Sequence, residues 1–176
     1  MKPAARAKIT VYADASVWIK WLKFKLGESE LEMAEYEAFD TLLGRLSGMG
    51  GTIWYSRAVT KEITRPNQQA EFERAIVTYG LRCAPVPLIK ADGSYKADGS
   101  ALCGGHWGGV GQEIRATEGD RDAEHFEAAL EAGVTWCLTL DDDWKKTLTK
   151  PALRERIKTP SEALALLEAT ITHNGD

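Results

Sequence analysis

The chain has 176 residues, 44% of them hydrophobic and 27% charged, and a formal net charge of −4. That balance suits a single globular domain with a buried core, and the absence of any run near the roughly 18 apolar residues of a membrane span excludes a transmembrane helix and a membrane partner. Three scattered cysteines (Cys83, Cys103, Cys137) make no disulfide framework, and no overall basicity announces nucleic acid, although a nuclease that meets phosphate through cations needs none.

The N-terminus, MKPAARAKITVYAD, carries no apolar stretch before a small-residue cleavage site, so the expected location is cytoplasmic. Lys8 to Ala13 is a short β-branched run that predicts a strand ending at Asp14-Ala-Ser16. SVWIKWLKFK predicts a short helix leading away from that strand end. From Glu30 to Leu46, helical spacing of Leu31, Ala34, Ala38, Leu42 and Leu46 predicts an amphipathic helix stopped by Gly48, Gly50 and Gly51. TIWYS reads as a second strand, and AVTKEITR as the start of a helix carrying Glu62 early. Helical pattern resumes from Gln68 to Tyr79, and LRCAPVPL is a third strand that Pro85 and Pro87 push to an edge or an end.

Residues 90–119 differ in kind. KADGS at 90–94 recurs at 96–100, and CGGHWGGVG is glycine-rich, so the segment reads as an inserted flexible loop, either a mobile lid or an excursion without catalytic importance. Its few large apolar groups can bury little surface against the entropy of ordering it. As a flap, it would contact substrate through Trp107 and His106. Cys103-Gly-Gly-His106 lacks the second pair of ligands that a zinc site requires. Helix 122–132 follows, ended by Gly133 at a C′ position, then the strand Val134 to Leu140, where Cys137 reads as a buried small hydrophobe. Pro151 to Arg156 predicts a short helix, IKT a last strand, and Pro160 the first residue of a closing helix. Alternating strands and helices predict an α/β fold, a parallel sheet with helices on both faces.

On such a sheet, Asp14 stands at the carboxyl end of the first strand, and Asp141 and Asp143 at that of the strand beginning near Val134. Ligands of open parallel sheets bind outside those ends. Asp122 opens a helix, and Glu62 can reach the same rim. Singly, each acid has an ordinary explanation: Asp122 as a helix N-terminal charge, the Asp141-Asp142-Asp143 triplet as a solvated turn, Glu62 as surface. His125 shares a helical face with Asp122 and is open to either a structural or a catalytic reading. Together the carboxylates repel one another unless divalent cations neutralise them, and hard oxygen ligands suit Mg²⁺ or Mn²⁺.

These motifs resemble the PIN-domain nucleases, including VapC-type toxins. VYADASVWIKWL is similar to that family's first-strand motif, SRAVTKEI to the segment bearing its helix glutamate, and DAEHFEAALEAGVTWCLTLDDDW to its Asp-x-x-His helix, glycine and strand end. IKTPSEAL is similar to the closing strand and helix. The likeness covers both ends of the chain and fails across 88–119, where the insertion is longer than usual. It implies a PIN-like fold and a Mg²⁺- or Mn²⁺-dependent phosphodiesterase acting on RNA. Asp14, Glu62, Asp122 and Asp141 would be the acidic ligands, Ser16 the supporting hydroxyl, and Asp143 a ligand or its neighbour. Asp120 competes with Asp122, but only Asp122 has His125 three residues on. Lys20, Lys23, Lys25, Arg57, Lys61, Lys145 and Lys146 are candidate phosphate contacts or simply solvated surface. Trp18, Trp21 and Trp107 are candidates for base stacking, with Trp18 and Trp21 better suited to the core. An antitoxin protein and a second copy of the chain are the implied partners. The rival reading is a non-catalytic PIN-like module that binds RNA or a protein.

Overall fold

A computed structural model describes residues 8–28, 33–84, 125–126, 128–129, 132–148 and 151–172. Residues 90–119 and both Asp120 and Asp122 therefore lie outside the described residues. Strand β1 (Thr10–Ala13) leads into α1 (Ala15–Lys25), followed by α2 (Met33–Gly48), β2 (Thr52–Tyr55), α3 (Arg57–Glu62), α4 (Pro66–Tyr79) and β3 (Arg82–Cys83). A helical stretch holding His125, Phe126, Ala128 and Ala129 precedes β4 (Trp136–Leu138), and Gly133 between them has φ +63°, the left-handed conformation expected after a helix end. The chain continues through α5 (Asp143–Thr147), α6 (Pro151–Arg154), β5 (Ile157–Lys158) and α7 (Pro160–Thr172).

The five strands form one sheet in the order β3-β2-β1-β4-β5, every neighbouring pair parallel. The α/β fold with a parallel sheet flanked by helices is thus present, with β3 at an edge. The order has a consequence. After β1 the chain steps outward to β2 and β3, then returns to the other side of β1 with β4. The carboxyl ends of β1 and β4 therefore flank a switch point, the place where an open α/β sheet leaves a crevice for a ligand.

The helices are held by an aromatic core. Trp18 on α1 lies edge-on to Phe39 of α2 and to Phe72 of α4, each with ring centroids 5.0 Å apart, and Trp21 lies 5.8 Å away. Both tryptophans are buried, so packing is their role and base stacking is not. Helix α7 packs against α2, β4 and β5. A cross-tie fixes that contact, since the Ser161 N–H donates to Glu35 Oε2 at 2.9 Å.

Three expectations need correction. Ala34 is exposed; Ala38, Leu42 and Leu46 are buried as expected, joined by Tyr36, Phe39 and Leu43, and Leu31 lies outside the described residues. Glu62 is the last residue of α3, not an early one, because that helix has only six residues before the chain turns extended at Ile63. The acid triplet is not a plain turn: Asp143 begins α5, whose Trp144 is fully buried against Phe126, ring centroids 5.9 Å apart.

Candidate functional site

Asp14 follows β1 directly and starts α1. Its backbone is extended (φ −72°, ψ 171°) and its Oδ1 accepts the Val17 N–H at 3.0 Å, the bond of a helix N-cap. Capping accounts for one carboxylate oxygen. The same Oδ1 accepts the Ser16 hydroxyl at 2.6 Å, and Oδ2 accepts the Thr139 hydroxyl, from the end of β4, also at 2.6 Å. A main-chain bond from Asp14 N–H to the Leu138 carbonyl, 3.0 Å, draws the two strand ends together.

Thr139 extends this cluster. While its hydroxyl proton points to Asp14, its oxygen accepts the Asp141 N–H at 3.0 Å. Asp141 Oδ1 in turn accepts the Asp143 N–H at 2.9 Å, so Thr139 ties the Asp14 carboxylate to the main chain of Asp141, whose own carboxylate caps the Asp143 N–H. Asp14 is only 4% exposed, yet among the described residues it has no Lys or Arg ion-pair partner. Burial raises its pKa above the ordinary carboxylate value; hydrogen bonds from Ser16, Thr139 and Val17, and the charge of His125, oppose the rise without cancelling it. The neighbouring Cys137 thiol is pushed well up by burial first and by the Asp14 charge second, which keeps it protonated and inert.

A second network lies beside the first. Glu62 Oε1 is 2.9 Å from His125 Nε2, His125 Nδ1 is 2.6 Å from the Tyr12 hydroxyl, and that hydroxyl is 2.8 Å from Ser56 Oγ. Tyr12, Ser56 and His125 are all buried. The phenol pKa is raised well above its usual value by burial chiefly, with smaller contributions from Cys137 and from the charges of Asp14 and Glu62.

The remaining expected residues are placed differently. Asp143 is exposed and its Oδ1 accepts Lys146 Nζ at 2.8 Å. Lys145 is engaged by Glu162 at 2.9 Å, and Lys25 by Asp40 at 3.2 Å. Arg57 and Lys61, on α3 near Glu62, are exposed. Asp122, the fourth expected ligand, lies outside the described residues. Among the described residues no three His, Cys, Asp or Glu side chains are grouped so as to hold a metal ion. Thr139, Tyr12 and Ser56 are members of the site that the sequence reading did not single out. For Thr139 a signal existed, a hydroxyl at a strand end two residues before an acid. No protein-family model, curated protein or solved structure matches the chain.

Carboxylate oxygens are the donors that hard divalent cations take. Asp14 accepts three hydrogen bonds, which leaves one of its roughly four lone-pair sites free. A buried carboxylate without a cation is an electrostatic cost that a divalent ion relieves.

Proposed function

We propose that the chain is a metal-dependent nuclease that hydrolyses phosphodiester bonds in RNA. One observation carries the reading: a buried carboxylate, Asp14, stands at the switch point of a parallel sheet with no Lys or Arg beside it among the described residues, coupled through Thr139 to Asp141 on the adjoining strand end. The likeness of the Asp14, Glu62, Asp122 and Asp141 segments to PIN-domain nucleases supports the same assignment.

In this reading Asp14, Asp141, Glu62 and Asp122 would hold Mg²⁺ or Mn²⁺, which when bound would supply polarisation of the phosphate and acidification of water. The chain's own residues supply order and charge. Ser16, Thr139 and the Val17 N–H fix the Asp14 carboxylate, so its geometry is set before any substrate arrives. Exposed Arg57 and Lys61 offer cations to the RNA backbone from α3, whereas Lys145 must first leave Glu162. An antitoxin protein and a second copy of the chain are the partners that the likeness adds, in the cytoplasm. No helix among the described residues is long and apolar enough to cross a membrane.

A non-catalytic PIN-like module that binds RNA or protein is the second reading. What favours it is the absence, among the described residues, of a three-residue metal-binding group. Incubation of a mixed RNA pool with the purified chain separates the two. The nuclease reading predicts cleavage with Mg²⁺ or Mn²⁺ that chelation stops and that Asp14→Asn lacks. RNA bound but left intact in saturating metal contradicts it.

A further inference from the structure

Glu62 ends α3, where a carboxylate lies at the unfavourable pole of the helix dipole. Its holder is His125. An ionised carboxylate only accepts hydrogen bonds, so the contact of 2.9 Å requires a proton on Nε2. Nδ1 then faces the Tyr12 hydroxyl at 2.6 Å, and the Ser56 hydroxyl stands behind that at 2.8 Å. Both hydroxyls donate and accept, so the chain of bonds is complete with either a neutral or a charged ring. His125 is 2% exposed and is held by Tyr12 of β1, which Ser56, the residue after β2, backs in turn. Among the described residues Glu62 Oε2 has no hydrogen-bond partner, in contrast to the gripped Oε1.

We propose that His125 is a positioning residue: its Nε2–H holds Glu62 Oε1, backed by Tyr12 and Ser56, and so presents Oε2 to the crevice where Asp14 stands. The proposal rests on the metal-dependent reading of that crevice. An outer partner that orients a carboxylate ligand typically governs metal affinity by roughly 10- to 100-fold.

The test is a double-mutant cycle read by titration with MnCl₂ alone, joined to a metal-free measurement. His125→Gln is expected to weaken apparent Mn²⁺ affinity by roughly 10-fold or more. In a Glu62→Ala background the same change is expected to alter affinity by less than about twofold, because the residue it acts through has gone. Equal losses in both backgrounds mean that His125 only supports the fold, and overturn the proposal. Should His125→Gln fail to fold, Tyr12→Phe, which keeps the ring and removes the hydroxyl, takes its place in the cycle under the same criterion. In metal-free protein, the His125 ring ¹⁵N shifts are expected to report a protonated Nε2 and to move in Glu62→Ala but not in Asp143→Asn. If the wild-type chain binds no Mn²⁺, the nuclease reading falls and the ring shifts decide the grip alone. Movement in Glu62→Ala then supports it, and unmoved shifts overturn it.

Discussion

Asp14, directly after β1, and Asp143, at the start of the helix that follows β4, are the same residue type, and they are opposites electrically. Asp143 is more than half exposed and has a lysine at 2.8 Å. Asp14 is buried, is held by two hydroxyls and a main-chain N–H, and has no Lys or Arg partner among the described residues. Water and Lys146 already satisfy the first. The second is satisfied by hydrogen bonds, and among the described residues no lysine or arginine balances its charge. Crowding of acids along the sequence is thus a weaker signal than the lack of a counter-charge around one of them.

Asp14→Asn breaks the contrast most completely. Metal-dependent RNA cleavage is expected to fall to background while the metal-free protein melts at the same or a higher temperature, since the change removes a buried charge and keeps an oxygen for Val17. Cleavage assays and thermal melts read the two effects. Thr139→Val comes next. It is nearly isosteric, deprives Asp14 Oδ2 and the Asp141 N–H of a partner, and is expected to cost about 1–3 kcal/mol in urea denaturation.

The pH dependence sharpens the contrast further. Burial, set against hydrogen bonds from Ser16, Thr139 and Val17, raises the folded-state pKa of Asp14 above its ordinary 3.8. Between those two values the folded protein binds the extra proton, so metal-free stability falls as pH rises through that window. Comparison of wild-type and Asp14→Asn stabilities across acid pH checks the sign: the wild-type curve should decline relative to the variant as pH rises, and a rising one would be wrong. The smallest effect belongs to the exposed pair. Lys146→Met is expected to leave melting temperature and cleavage unchanged, because a solvent-screened surface ion pair contributes little.

The sheet was largely legible in the sequence because its strands are short apolar runs closed by Asp, Ser, Gly or Pro, and the helices between them carry a periodic face. Asp14 was legible as a carboxylate at a strand end. The strands are shorter than their apolar runs, since β4 spans Trp136–Leu138 although the run extends from Val134 to Leu140. Helix α5 was hidden because five residues beginning in Asp-rich sequence carry no periodicity, and its burial of Trp144 is a tertiary contact. The hydrogen-bonding roles were hidden for a different reason. Thr139 reaches Asp14 across 125 residues, Tyr12 reaches His125 across 113, and Tyr12 reaches Ser56 across 44. No local spacing encodes such pairs; strand order does.

Thermal melting of the metal-free chain under titration with MnCl₂ is the most direct test that Asp14 awaits a cation. The wild-type melting temperature should climb with the logarithm of free metal above the dissociation constant, a stabilisation of about 2.7 kcal/mol at a hundredfold excess over it, and Asp14→Asn should stay flat. A wild-type curve indifferent to millimolar metal, or a variant that climbs equally, would contradict it.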